Sequence, residues 1–355
     1  MHPQISIVIV TYHTTPLTRL CLWSLAMSGL KHSEVIMIDN ACNDDFADNL
    51  AMEFSFLQLT HNQSNEGFGK ACNRGFRQAK GDIILFLNPD TIVPPDFEEK
   101  IIRFFNFHPK AGAMGPKMID ATGIFLNESK RNFPSPAASF VKFSGFENLI
   151  PPNWKKWHYY AKHIPENKCS PVQVLSGAFM AVTRETMKIT GGFDPRYFLY
   201  AEDIDLSLEV ATIGNKEVWY NPEIKIVHFK SQTTKKSPLY SSMFYASMLQ
   251  FYHKHLDQKS SGPKTSLIVN SIKFLSVLSS LKHKLKQNNQ LNFPIKLRVH
   301  PASSRELFNL LSQHPQFKLA YADKEKTRGS HLLLSSQSIS IDELISNISN
   351  SCKQT

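Results

Sequence analysis

The chain of 355 residues carries no Cys-x-x-Cys pair, and its five cysteines (Cys21, Cys42, Cys72, Cys169, Cys352) are scattered and odd in number. That excludes a disulfide scaffold and the common zinc modules, and it fits a reducing compartment. No Gly-x-x-x-x-Gly-Lys-Ser/Thr loop occurs, so Gly67-Phe68-Gly69-Lys70 is no phosphate loop, and no Gly-x-Gly-x-x-Gly follows the first apolar run. His-Glu-x-x-His and Gly-x-Ser-x-Gly are missing as well. Kinase, ATPase, dehydrogenase, zinc-peptidase and serine-hydrolase chemistries are thereby set aside. The N-terminus lacks a basic region, a long apolar stretch and a cleavage site, so no signal peptide is expected. The longest later apolar region, Leu267 to Leu281, is broken by Asn270, Lys273 and several serines, short of the roughly 20 residues that span a bilayer. A soluble or peripheral cytoplasmic protein is the expectation, and the Asn-x-Ser sequons at Asn62, Asn127 and Asn347 are read as accidental.

What is present describes a folded chain. Hydrophobic residues make up 42% and charged residues 20%, and the length allows about two or three domains. The net charge of +10 is uneven: 23 basic and 24 acidic residues up to Lys230 give −1, and 17 and 6 beyond it give +11. A basic segment of this kind serves nucleic acid, anionic lipid or solubility, and charge alone does not choose. With no recognised nucleic-acid module there, no nucleic-acid partner is expected.

Ile5 to Val10 is an apolar, β-branched run too short for a helix, as in a strand buried on both faces. A helix is predicted over Pro16 to Ser28, then strands at Val35 to Ile38 and Phe56 to Leu59, a helix to about Ala79, and a strand at Ile83 to Leu87. Strands alternating with helices predict a doubly wound, mostly parallel α/β sheet whose ligands bind beyond the strands' carboxyl ends. Those ends are Thr11-Tyr12, Asp39-Asn40, Asn65 to Gly69 and Asn88 to Asp90. Past Gly115 comes a proline-marked insertion around Trp154, Trp157, Tyr159 and Tyr160, where sugar stacking competes with a plain hydrophobic cluster. Then follow a strand region over Val172 to Val182, helices near Arg184 to Ile189 and from Tyr200 to about Ile213, and two strands near Val218 to Tyr220 and Lys225 to Phe229. Ser260 to Pro263 reads as a linker, dividing residues 1–260 from a basic region 261–355. That region is expected to hold an amphipathic helix over Ser266 to Lys286 and a small α/β appendix, with strands at Ile295 to Val299, Lys318 to Tyr321 and Leu332 to Leu334 around a helix at Arg305 to Leu311.

Three features carry chemistry. Asn88-Pro89-Asp90 ends a buried strand with a carboxylate suited to Mg²⁺ or Mn²⁺, although the same residues make turns. Glu202, Asp203 and Asp205 crowd three acids after the aromatic patch Tyr197-Phe198-Leu199-Tyr200; crowding raises carboxyl pKa and makes a general base, while acids also decorate helix N-termini. His228 at a strand end is either a metal ligand or structural.

In order and spacing, Val8 to Tyr12, Ile38-Asp39-Asn40, Asn65 to Gly69 with Asn73-Arg74-Gly75, Leu87 to Thr91, Ser176-Gly177-Ala178, Gly191 to Asp194, Tyr200 to Leu206 and His228 resemble a family 2 glycosyltransferase of the GT-A fold, particularly its bacterial rhamnosyltransferase-like branch. The resemblance implies that Thr11, Tyr12 and Asp39 hold the nucleoside, with Asn65, Gly67, Asn88 and Asp90 also on the donor side. It implies a divalent metal, Mg²⁺ or Mn²⁺, on Asp90 and His228; the first Asp of the family's Asp-x-Asp is replaced by Asn88. Asp203 is implied as the base with Glu202 beside it, and Gly192, Phe193 and Asp205 fall on the acceptor side. The implied reaction is inverting transfer from a nucleotide sugar, dTDP-rhamnose or a UDP-sugar, to a glycan or polyprenyl-linked acceptor in cell-surface polysaccharide synthesis. The basic C-terminal region would meet an anionic membrane. A non-catalytic sugar-nucleotide- or carbohydrate-binding module derived from a transferase is the alternative, because one Asp of the metal motif is absent.

Overall fold

The computed structural model describes residues 2–12, 16–41, 45–121, 123–135, 138, 141, 149–151, 154, 157–229 and 238–255, and three strands within 295–334. Strands β1 (Ile5–Thr11), β2 (Ser33–Asp39), β3 (Leu57–His61) and β4 (Ile83–Leu87) pair in parallel. Between them lie helices α1 (Pro16–Ser28), α2 (Phe46–Glu53) and α3 (Phe68–Gln78). Period-two alternation divides each central strand between two cores. Ile5, Ile7, Ile9, Ile83, Leu85 and Leu87 face α1, α2 and α4 (Phe97–Phe107) through Leu22, Leu50, Phe97 and Ile101. Val8, Val10, Ile84 and Phe86 face the opposite layer through Ala71, Cys72, Met187 and Leu206. Burial on both faces is why these strands read as unbroken apolar runs.

The remaining strands are β5 (Thr91–Ile92), β6 (Ala111–Ile119), β7 (Ser170–Pro171), β8 (Phe179–Thr183) and β9 (Glu217–His228). The nine-stranded sheet runs β3-β2-β1-β4-β8-β6-β9-β5, with β7 also beside β9. β8 is antiparallel to both β4 and β6, and β5 and β7 are antiparallel to β9, so the sheet is mixed with its parallel part around β1. The two strands expected near Val218 and Lys225 are one strand. Its register on β6 jumps between Asn221 and Lys225, where Pro222 has no N–H to give and the Asn221 Oδ1 accepts from the Glu223 N–H. Of the strand region expected over Val172 to Val182 only the end forms a strand, as β8, while β7 lies just before it. The helices after β8 are α5 (Arg184–Thr190), α6 (Glu202–Thr212) and α7 (Pro238–His255).

β10 (Ile295–Val299), β11 (Phe317–Tyr321) and β12 (Leu332–Leu334) form a separate three-stranded parallel sheet, β11-β10-β12, matching the expected strands of the appendix. The expected linker, amphipathic helix and helix at Arg305 to Leu311 lie outside the described residues. Among the described residues no helix is long and apolar enough to cross a membrane.

Candidate functional site

The parallel register sets Thr11 beside Asp39 and Ile9 beside Leu87, so the segments leaving β1, β2 and β4 begin at one edge of the sheet, with β1 the strand at which the winding reverses. This is where a doubly wound sheet opens a crevice. A cavity of about 470 Å³ lies there, lined by Tyr12, Asn65, Gly67, Asn88, Glu202, Asp203 and His228 among the expected residues, and also by Asn40, Ser176, Gly177, Phe198, Tyr200 and Met243. Thr11, Asp39 and Asp90 are buried and do not line it.

One end is built on amides. Asn40 donates to Asn65 Oδ1 at 2.8 Å, while its own Oδ1 accepts from Asn62 at 2.9 Å and from the Glu66 N–H at 3.1 Å. Asn65 in turn accepts from the Gly67 N–H at 3.0 Å. Gly67 sits at φ +85°, and a Cβ there would lie 2.5 Å from the Phe198 carbonyl oxygen, so only glycine fits. Asp39 is held by His61, whose Nδ1 is 2.9 Å from it and whose Nε2 is 3.2 Å from Asp48. These contacts, led by the hydrogen bond to Asp39, raise the His61 pKa. Asn40 was expected at the ligand edge as a strand-end residue, and the structure places it there; His61 was not among the residues expected from sequence.

Opposite them, Asp90 Oδ1 lies 3.3 Å from His228 Nε2, brought together because β5 pairs Thr91 with His228. Asp90 Oδ1 and His228 Nδ1 are buried without a hydrogen-bond partner. Among the described residues no three His, Cys, Asp or Glu side chains converge, so any cation here would take its remaining ligands from outside the protein. Two oriented, unsatisfied donors near Asn88 at the cavity rim suit a hard divalent ion with one or two protein ligands. Burial pushes the nearby Cys21 thiol up to about 12, leaving it inert.

The acid pair opens α6. Tyr200 and Ala201, just before it, both adopt left-handed φ (+70° and +67°). Asp203 Oδ2 accepts from Arg131 Nη2 at 2.6 Å and from the Gly177 N–H at 3.0 Å. Arg131 also reaches the Tyr159 hydroxyl at 3.2 Å and the Leu175 carbonyl. Burial opposes the Arg131 charge, but Asp203 and Tyr159 outweigh it and hold the guanidinium well above its ordinary value. Glu202 differs: burial first, then the neighbouring Asp203, push its carboxyl up to about 8, and its Oε2 has no partner. Burial thus biases Glu202 toward its protonated form, while Asp203 pairs with Arg131. Arg131, the residue that holds Asp203, was also missed.

Three residues expected on the acceptor side are elsewhere. Phe193 is 1% exposed and packs edge-on against Phe68 and Phe86, in the core. Gly192, at φ +82°, is pressed to Asn73, whose side chain clamps both the Phe193 carbonyl (2.7 Å) and N–H (2.9 Å). Asp205 is fully buried, taking hydrogen bonds from the Tyr197 hydroxyl (3.3 Å) and Lys254 Nζ (2.8 Å), with His255 Nε2 at 2.5 Å. Lys254 also binds Asp194 and Glu209, so this cluster fastens α7 to α6 rather than facing substrate. Of the sequence's aromatic insertion, Trp154 and Trp157 are exposed, while Tyr159 and Tyr160 stack edge to face.

A family model, glycosyl transferase family 2, matches residues 6–188. The acid pair lies beyond that match. The chain is 28% identical over 268 residues to the N-acetylglucosaminyl-diphospho-decaprenol L-rhamnosyltransferase of Mycobacterium tuberculosis, covering 72% of this chain and 83% of that protein. It is 30% identical over 155 residues to the rhamnosyltransferase WbbL of Escherichia coli, covering 43% and 54% respectively. Among solved structures, the mannosyltransferase PcManGT from Pyrobaculum calidifontis, in complex with GDP-Man and Mn²⁺, superposes with a TM-score of 0.50 at 15% identity, covering 88% of this chain and 79% of that one.

Proposed function

Because the chain belongs to glycosyl transferase family 2 and has the GT-A fold, we propose that it transfers a sugar from a nucleoside diphosphate donor to an acceptor hydroxyl in one inverting displacement. The observation that carries this reading is the acid pair lining one cavity with the strand-end residues: Asp203 held by Arg131 and the Gly177 N–H, and beside it Glu202, whose carboxyl pKa burial raises.

Asp203 is the base. With Oδ2 occupied by Arg131 and Gly177, the second oxygen remains to take the acceptor proton. The acceptor oxygen attacks the anomeric carbon, the bond from that carbon to the diphosphate oxygen breaks with its electron pair going to the leaving group, and configuration inverts. No enzyme nucleophile is involved, unlike a retaining mechanism. Glu202, protonated, offers a hydrogen bond instead of a second negative charge near the departing diphosphate. Tyr12, Asn65 and Gly67 line the nucleoside end, with Thr11 and Asp39 behind them. Asp90 and His228, with Asn88 alongside, are the residues suited to hold Mg²⁺ or Mn²⁺; when bound, the cation supplies positive charge against the diphosphate oxygens.

Relatives named as rhamnosyltransferases, one of them acting on a polyprenyl-diphosphate N-acetylglucosamine, support dTDP-rhamnose as donor, with UDP-sugars next, and a lipid-linked glycan as acceptor. Residues 1–260 form the transferase unit on this reading. The basic region 261–355 is the candidate contact with an anionic, cytoplasm-facing membrane. Release of dTDP from dTDP-rhamnose, with a synthetic N-acetylglucosaminyl-diphospho-lipid and Mn²⁺, tests the reading. Activity should vanish in Asp203→Asn while dTDP still raises the melting temperature. Full turnover by that variant would remove Asp203 as base.

A further inference from the structure

The aromatic patch Tyr197-Phe198-Leu199-Tyr200 divides its work. Tyr197 is buried with its hydroxyl on Asp205, and Tyr200 stacks edge-on against Phe244 at 5.7 Å. The Leu199 carbonyl accepts from Ser247 at 2.8 Å. Phe198 is the member of the patch left over: its ring is 42% exposed and lines the same cavity as Glu202 and Asp203.

A lone exposed apolar side chain needs no explanation by itself. This one differs in being fixed. Its carbonyl accepts from the Phe68 N–H at 2.9 Å, at the start of α3. Gly67 is stripped to the backbone against it: a Cβ there would stand 3.0 Å from the ring's Cδ2 as well as clashing with the carbonyl. On the other side Ser247 holds Leu199, and the chain then passes through two consecutive left-handed residues, conformations that cost about 1–3 kcal/mol each for non-glycine residues and persist only where surroundings enforce them. Its backbone is held on both sides, and it stands five residues before Asp203 on the same pinned segment.

A rigid aromatic face beside a few polar groups is what a small-molecule site uses to orient a partly apolar ligand. A pyranose is such a ligand, with axial C–H bonds on one face and hydroxyls around its rim. The donor's nucleotide end is claimed by Tyr12, Asn65 and the Asp90–His228 pair, whereas the sugar that meets Asp203 is the acceptor's. We propose that Phe198 is the stacking platform of the acceptor subsite, laying the C–H face of a pyranose on its ring so that a rim hydroxyl meets Asp203. The proposal rests on the transferase reading above, and it puts the acceptor on Phe198 instead of on Gly192, Phe193 and Asp205.

Full-length protein carrying Phe198→Ala or Phe198→Trp tests this. With dTDP-rhamnose saturating and methyl N-acetyl-β-D-glucosaminide as acceptor, F198A should raise the acceptor KM at least tenfold while the donor KM stays within twofold. F198W, which keeps an aromatic face, should hold the acceptor KM near wild type. In a binding experiment without turnover, F198W is titrated with methyl glycosides of glucose, galactose, mannose and N-acetylglucosamine. Its emission should change saturably with at least one of them, where wild type does not. An unchanged acceptor KM in F198A, a donor KM rising in parallel, or an F198W silent to every glycoside overturns the platform. Failure of dTDP, UDP and GDP alike to shift the wild-type melting temperature would instead overturn the transferase reading, and the glycoside titration still decides the platform on its own.

Discussion

Replacing Arg131 with methionine removes the cation that Asp203 faces while keeping a long apolar side chain in its channel. Both partners are largely buried, and breaking such a pair from one side costs about 3–5 kcal/mol, because a charge is left uncompensated. At roughly 2–4 °C per kcal/mol for a domain of this size, the melting temperature should fall by about 6–20 °C. Asp203→Asn alone strands the guanidinium and should cost a comparable amount. The double variant R131M/D203N strands neither, so it should recover much of the loss, with a coupling above about 0.5 kcal/mol, the level at which independent sites add. Scanning fluorimetry and urea melts of the four proteins close the cycle. The kinetic arm reads kcat/KM of R131M, which should fall because Arg131 and the Gly177 N–H together hold the Asp203 carboxylate in place. Additive stabilities, or an R131M kcat/KM equal to wild type, would refute the idea that Arg131 positions Asp203.

Glu202 titrates near 8 in the folded chain and near 4.5 when unfolded, so between those values the folded state holds a proton the unfolded state has lost, and stability falls as pH rises through that window. Glu202→Gln should flatten this slope, read as a smaller drop in melting temperature from pH 5 to pH 8 than in wild type. Gly67→Ala forces a side chain into φ +85°, ψ 168°, a region essentially reserved for glycine, against the Phe198 carbonyl; a loss of about 1–3 kcal/mol from the backbone alone, plus the clash, should appear in urea melts together with a raised donor KM. Lys254→Met leaves the buried carboxylates of Asp194, Asp205 and Glu209 without their shared cation and should destabilise by about 3–5 kcal/mol, with Asp205→Asn in the same chain restoring part of it.

The elements legible in sequence were those whose pattern is local. β1 and β4 are apolar on both faces, α1 carries its own helical spacing, and the residues leaving β1, β2 and β4 followed from the parallel winding. α4, β6 and α7 went unread, although Phe97, Ile101 and Phe104 behind Glu98 and Glu99 in the first turn offered a helical signal for α4. β9 was split in two because Pro222 looks like a strand end when its neighbour β6 is not known. At the site, Asp203 and Glu202 were visible as a cluster, but Arg131 stands 72 residues away and His61 meets Asp39 across a βα unit. Gly192 and Phe193 were placed on the acceptor side by the resemblance; the turn answers to Asn73, 120 residues before Phe193. Contacts of that separation leave no trace in periodicity or spacing.

Asn40 is the hub of an amide chain, giving to Asn65 and taking from Asn62, and this limits how the cavity end proposed to hold the nucleoside can be redesigned. Replacing Asn40 alone would strip the buried Asn62 amide of its acceptor at about 1–3 kcal/mol, whereas Asn40 keeps the Glu66 N–H when Asn62 is changed and the Gly67 carbonyl when Asn65 is changed. Altering nucleobase preference through Asn40 by itself would meet that barrier. Asn40 must therefore be exchanged together with its partners, and Phe198 together with Gly67, whose missing side chain makes room for that ring and carbonyl. An engineered library for this enzyme would randomise such linked positions jointly.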